Sequence, residues 1–140
     1  MKRAVITDLD GTLAIANNRR YSQFEHVSTD TPDPFVRDIL FNLTQNDDRA
    51  LIVVTGRPDL DACREDTERW IEEVAELPHE LLLMREAGDH SPDFLVKQRL
   101  FREHIVGHYS VDLVLEDKAS LVKMWREEGL RCYEVANNEL

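Results

Sequence analysis

Cysteine is scarce in this chain: only Cys63 and Cys132 occur, and neither has a partner at metal-ligand spacing. A disulfide-stapled scaffold and a thiolate zinc site are therefore not expected, and both residues read as small buried hydrophobes. Long apolar runs are also missing, and none approaches the roughly 20 residues of a membrane-spanning helix. The start, Met1-Lys2-Arg3-Ala4-Val5-Ile6, has two charges but no apolar signal core, so a cytoplasmic protein is expected. Cations are in short supply, with 17 Lys and Arg against 28 Asp and Glu, a net charge of −11. That excludes a broad surface coating nucleic acid, because such affinity comes from phosphate neutralisation. A local basic site remains compatible with it. No internal repeat, low-complexity segment or linker breaks the chain. What is present, 42% hydrophobic and 32% charged residues over 140 positions, fits one ordered domain spanning residues 1–140.

Five short apolar runs punctuate the sequence. Residues 3–8 end in Asp8, and residues 50–54 lead into Thr55-Gly56-Arg57-Pro58. Residues 80–84 end at Arg85, residues 111–115 at Glu116-Asp117, and residues 131–135 form the fifth. Near-continuous apolar strands predict a sheet buried on both faces, hence parallel. Helical stripes separate them. Phe35, Val36, Ile39, Leu40 and Leu43 share a face opened by Asp33-Pro34. Cys63, Thr67, Trp70, Ile71, Val74 and Leu77 make a second stripe, and Val96, Leu100 and Phe101 a third after Ser91-Pro92. Leu121, Val122 and Trp125 line a fourth, stopped near Gly129. The alternation predicts an α/β layered fold with right-handed crossovers. Residues 14–33 are the one long irregular stretch, a length that is usually functional.

The strand ends carry the chemistry. Ligands of open parallel sheets bind beyond the carboxyl ends of the strands. Asp8, Thr55 and Glu116-Asp117 all fall there, and two acid-bearing ends suggest a hard divalent cation such as Mg²⁺. Asp8 and Asp10 are two residues apart where a strand gives way to a turn at Gly11. One carboxylate attacking phosphorus and the other moving protons would satisfy phosphoryl transfer through an aspartyl-phosphate. A bare Asp-x-Asp-Gly is more often a turn with an Asx cap.

The longer run Asp8-Leu9-Asp10-Gly11-Thr12-Leu13 after a buried strand resembles the first motif of the haloacid dehalogenase superfamily of phosphatases. Thr55, Lys97 and Glu116-Asp117 resemble its second, third and fourth motifs. From about Val5 to Val135 the chain resembles the 3′-phosphatase domain of bacteriophage polynucleotide kinase-phosphatases. Val53-Val54-Thr55-Gly56-Arg57, Arg85-Glu86-Ala87-Gly88-Asp89 and Asp93-Phe94-Leu95-Val96-Lys97 carry that likeness. His104-Ile105 and Met124-Trp125-Arg126 add to it.

The resemblance implies a Rossmann-like three-layer α/β/α sandwich with a parallel five-stranded sheet, its first strand central and no large cap domain. It implies Asp8 as nucleophile and Mg²⁺ ligand, and Asp10 as acid and base with its carbonyl on the metal. Asp117 would be a direct metal ligand and Glu116 would act through water. Thr55 and Lys97, with Gly56, would hold the phosphoryl group, while Arg19 and Arg57 contact phosphate or order the site. Asp93, one turn before Lys97, would orient it by an i,i+4 pair. The implied substrates are 3′-phosphorylated DNA or RNA ends, with separate kinase and ligase as functional partners and a host cytoplasm as setting if the chain is phage-encoded. Where the family carries Asp-Asp-Arg, this chain reads Glu116-Asp117-Lys118, and His90-Ser91-Pro92 stands where an arginine is common. No Gly-x-x-x-x-Gly-Lys-Ser/Thr occurs, so a free-standing phosphatase without a kinase half is expected.

Several residues keep two readings. Arg85 and Asp89 fit a loop salt bridge as well as substrate contact. Tyr21 and Phe24 fit base stacking as well as packing of their loop. Trp70 and Trp125 read as core, and the five histidines as structural. A phosphatase of free nucleotides or other small phosphomonoesters is the alternative function. A non-catalytic phospho-acceptor module is the third, and Asp10 argues against it.

Overall fold

A computed structural model describes residues 1–45 and 48–135. The elements follow the order β1 (Lys2–Thr7), β2 (Ala14–Ile15), a 3₁₀ turn (Phe24–Thr29), β3 (Thr31–Pro32), α1 (Pro34–Gln45), β4 (Ala50–Pro58) and α2 (Asp61–Arg69). A π-helical turn (Trp70–Val74), β5 (Leu81–Arg85), α3 (Asp93–His104), β6 (Tyr109–Glu116), α4 (Ala119–Glu127) and β7 (Cys132–Glu134) complete it. The main sheet is parallel, in the order β5-β4-β1-β6-β7, with β1 central. A separate antiparallel pair, β2 with β3, sits inside the stretch expected to be irregular.

Strand alternation explains why the strands read as continuous apolar runs. Val5, Leu51 and Val53 enter one core cluster with Val36 and Leu40 of α1 and Cys63, Trp70 and Ile71. Ala4, Ile6, Ile52 and Val54 enter the other with Val96 and Phe101 of α3 and Val122 and Trp125 of α4. Both faces are covered, so Ala4–Ile6 of β1 and Ala50–Val54 of β4 carry no polar residue. Both cysteines are buried and free, and both tryptophans are core.

Two details of the expected stripes change. Phe35 and Ile39 are exposed, at 78% and 44%, and α1 buries Val36, Leu40 and Thr44 instead. Thr44 tolerates burial because its hydroxyl donates back to the Leu40 carbonyl at 2.8 Å. Val74 also turns outward, where α2 loosens into the π turn. The Asp33 cap is present: its Oδ1 accepts the N–H groups of Phe35 and Val36 at 3.0 and 3.1 Å.

Candidate active site

At the carboxyl end of β1 the chain turns sharply. The Leu9 carbonyl accepts the N–H groups of Thr12, Leu13 and Ala14, and Gly11, at φ +82°, supplies a conformation that other residues resist. The Asp8 N–H donates to the Leu115 carbonyl at 3.0 Å, tying the end of β1 to β6. That tie sets Asp8 beside Glu116 and Asp117.

Lys97 stands between the carboxylates. Its Nζ donates to Asp8 Oδ1 at 2.6 Å and to Glu116 Oε2 at 3.0 Å, and the side chain is 2% exposed. The Thr12 hydroxyl donates to the other Asp8 oxygen at 2.8 Å. Both oxygens of Asp8 are thus held, and its plane is fixed. The Trp125 indole N–H reaches Glu116 Oε2 at 3.3 Å. Burial pushes Asp8 upward, but the Lys97 charge and hydrogen bonding to Glu116, Lys97 and Asp117 prevail and hold it below the ordinary carboxylate value. Burial and the Asp8 charge drive Glu116 well above its ordinary value. Burial lowers Lys97, and the attraction of Asp8 and Glu116 overrides it, leaving a firmly charged ammonium.

Asp8, Glu116 and Asp117 each offer an oxygen within 4.8 Å of the others, and all three are buried. All three donors are oxygens, and the repulsion that raises Glu116 is what a hard divalent cation among them would offset.

Asp10 sits in a different environment. Arg57 grips it with Nε on Oδ2 at 3.0 Å and Nη2 on Oδ1 at 2.8 Å, and Arg19 adds Nη2 on Oδ1 at 2.7 Å. A second carboxylate, Asp30, lies behind them, accepting from Arg19 Nε at 2.9 Å, Arg19 Nη2 at 2.7 Å and Arg57 Nη2 at 3.0 Å. Arg57 Nη1 donates to Thr67 Oγ1 at 2.9 Å, and the Trp70 indole N–H donates to the Asp30 carbonyl at 2.9 Å. The two arginines tie Asp10 to the rest of the domain, and neither lines the small cavity beside Asp8.

That cavity, about 10 Å³, is lined by Asp8, Asp10, Tyr21, Gly56, Lys97 and Lys118, among others. Gly56 is a close-approach position: a Cβ there would lie 3.0 Å from Asp93 Oδ1 and 3.2 Å from the Tyr21 hydroxyl. Thr55 is buried, and its hydroxyl accepts the Arg57 N–H at 3.2 Å, so it supports the turn that presents Gly56.

Asp93 does not pair with Lys97. Lys97 points to Asp8 and Glu116, where two buried carboxylates outcompete a half-buried neighbour one turn away. Asp93 instead pairs with Arg85 and, at 3.5 Å, with Lys118. Of the four metal ligands expected, Asp8, Glu116 and Asp117 bring their carboxylates together. The fourth was expected through the Asp10 carbonyl, and the arginine clamp on the Asp10 side chain leaves that expectation as it stood. Asp30, Thr12 and Thr67 were not anticipated. Asp30 lies in an irregular stretch eleven residues beyond Arg19, and nothing in that spacing announces a pair.

Fold and site together define a phosphatase domain of the haloacid dehalogenase type. The chain belongs to the family described as the polynucleotide kinase PNKP phosphatase domain, which it matches over residues 2–140. It is 33% identical over 126 residues to a protein of Autographa californica nuclear polyhedrosis virus named as a bifunctional polynucleotide kinase/RNA ligase, covering 89% of this chain and 18% of that protein. Two solved structures of the Pnkp1/Rnl/Hen1 complex, one of them described as an RNA repair complex, contain similar chains, each 34% identical. Their TM-scores are 0.89 and 0.91, over 99% and 100% of this chain and 44% and 48% of theirs. The chain thus spans a fifth or less of the viral relative and under half of the structural ones. Among the described residues, no helix is long and apolar enough to cross a membrane.

Proposed function

We propose that this domain removes the 3′-phosphate from DNA or RNA ends by Mg²⁺-dependent formation and hydrolysis of an aspartyl-phosphate, as a step that readies ends for ligation. The observation that carries this reading is the division of labour between Asp8, held with Lys97 in a buried acidic cluster, and Asp10, held apart by two arginines. Family membership supports the choice of substrate class.

Asp8 is the nucleophile. One of its oxygens forms a bond to phosphorus as the bond to the ribose 3′-oxygen breaks, and Asp10 gives that oxygen a proton. Lys97 stays against the nucleophile and attracts the phosphoryl oxygens. Water then attacks the aspartyl-phosphate, Asp10 takes its proton, and inorganic phosphate leaves with Asp8 restored. Asp8, Asp117 and Glu116 would hold Mg²⁺, and the bound ion supplies charge neutralisation at the phosphoryl group.

Two measurements test this. Phosphate release from a 3′-phosphorylated oligonucleotide with Mg²⁺ should be readily measured and should vanish in Asp8→Asn; a 5′-nucleotide should be a poor substrate. Equal turnover of 5′- and 3′-nucleotides with an inert oligonucleotide would favour a small-phosphomonoester phosphatase, a reading that the net charge of −11 supports. Mg²⁺ should also stabilise the fold. A ligand bound to the native state alone, at about a hundredfold excess over its Kd, adds about 2.7 kcal/mol. The urea midpoint should rise with Mg²⁺ in the unmodified protein and stay nearly fixed in Asp117→Asn.

A further inference from the structure

A second cavity, about 500 Å³, opens beside the catalytic one and shares Tyr21 and Gly56 with it. Resting on the 3′-phosphatase reading, we infer that this groove seats the terminal nucleoside of the substrate, with its base stacked against the Tyr21–Phe24 pair. Size makes the first point. The catalytic cavity, about 10 Å³ and lined by Asp8, Asp10 and Lys97, has no room for a nucleoside. The sugar and base must lie outside it. The adjoining groove has the volume of a small-molecule site.

Chemistry makes the second. Tyr21 and Phe24 meet edge to face, with centroids 5.4 Å apart and planes at 78°. Pro58, Gly88 and His90 also line the groove. A Cβ at Gly88 would meet nothing within 4 Å, so the wall there stands open. Aromatic faces hold a base of any sequence by stacking.

Charge makes the third. Arg85 is the only Arg or Lys among the lining residues, and it is turned inward. Its Nε donates to the Gly56 carbonyl at 2.9 Å, its Nη1 to the carbonyls of Asp89 and Ser91 at 3.0 and 2.6 Å, and its Nη2 to Asp93. Asp89 in turn accepts from Arg99 and from the Ser91 N–H. The groove therefore suits an uncharged moiety and not the upstream phosphodiester. Recognition stops at the end nucleoside, and the rest of the strand lies free.

The test uses Asp8→Asn protein with a trinucleotide that ends in 2-aminopurine and a 3′-phosphate. Stacking should quench its fluorescence on binding. Phe24→Ala and His90→Ala, added singly, should raise Kd about tenfold, as expected for loss of a base–aromatic contact. An end with an abasic terminal sugar should bind equally to all three proteins. Lengthening the strand to twelve nucleotides should change Kd less than about threefold, with a shallow salt dependence. In the catalytically intact background, both substitutions should raise KM for base-bearing 3′-phosphorylated ends and leave it unchanged for an abasic end. Phe24 is partly buried against the core, so its variant is checked by thermal melting; His90 is exposed and carries the test if Phe24→Ala fails to fold. Loss of affinity that is the same for abasic and base-bearing ends overturns the groove assignment, as does a Kd that falls steeply with strand length. Absence of turnover on both nitrophenyl phosphate and 3′-phosphorylated ends overturns the phosphatase reading itself, and the groove assignment with it.

Discussion

Arg57→Ala is expected to lower the stability of the domain by about 3–5 kcal/mol, the usual consequence of removing one partner from a buried ion pair. Arg57 is fully buried and serves three groups at once: Asp10 through two nitrogens, Asp30, and the Thr67 hydroxyl. Its loss leaves Asp10 and Asp30 facing Arg19 alone. It also strips Thr67 of a donor and opens a void under the loop. Against a typical total of roughly 5–15 kcal/mol, this is a large fraction. Arg57→Lys should recover only part, because a single ammonium does not span a bidentate carboxylate, a second carboxylate and a hydroxyl. Urea denaturation followed by circular dichroism measures both. Asp30→Asn added to Arg57→Ala should cost less than the two single losses combined, since the second change removes a carboxylate that the first left short of a partner. A midpoint for Arg57→Ala close to the unmodified protein would show that the clamp holds Asp10 without holding the fold. Activity should fall in parallel, because the same contacts orient Asp10.

The strands were legible because their burial is two-sided. Ala50 to Val54 has no polar position, and such a run has few alternatives to an interior parallel strand. The strand ends were legible for the same reason: Thr7-Asp8, Thr55 and Glu116-Asp117 are where polarity returns after each apolar run. The helix faces were read less well. Phe35 and Ile39 fit an apolar stripe on α1, but a stripe of that width leaves its inward centre undetermined, and Thr44 took a buried place through a backbone hydrogen bond. Lys97 and Asp93 make the same point at the site. Their i,i+4 spacing is a local fact, whereas the Lys97 contacts to Asp8 and Glu116 span 89 and 19 residues. Tertiary geometry settled the competition in favour of the buried partners. Asp30 is the extreme case. Its value as a site residue comes wholly from where β2, β3 and the 3₁₀ turn carry it, and none of those elements has a strong pattern of its own.

Asp10→Asn should slow dephosphorylation of a 3′-phosphorylated end by roughly 10²–10⁴-fold, the usual worth of a positioned acid or base. The substitution also disturbs the clamp, since an amide turned to two guanidiniums presents a donor where a carboxylate oxygen accepted. A rate loss alone therefore does not identify proton transfer. The leaving group separates the two effects. Displaced geometry slows attack by Asp8 on any substrate to a similar degree. Loss of a proton donor matters greatly for a ribose alkoxide and little for an acidic nitrophenolate, which departs without a proton. In single-turnover experiments the first step should thus fall far less on nitrophenyl phosphate than on the oligonucleotide. The second step still needs a base to activate water, whichever group has left. Asp10→Asn mixed with nitrophenyl phosphate should accordingly release a burst of nitrophenol equal to the enzyme present, followed by slow turnover, and acid quenching during the slow phase should trap phosphate on the protein. Asp8→Asn should give neither burst nor trapped phosphate. Equal first-step losses on the two substrates would assign Asp10 to positioning alone and move the proton-transfer role elsewhere in the site.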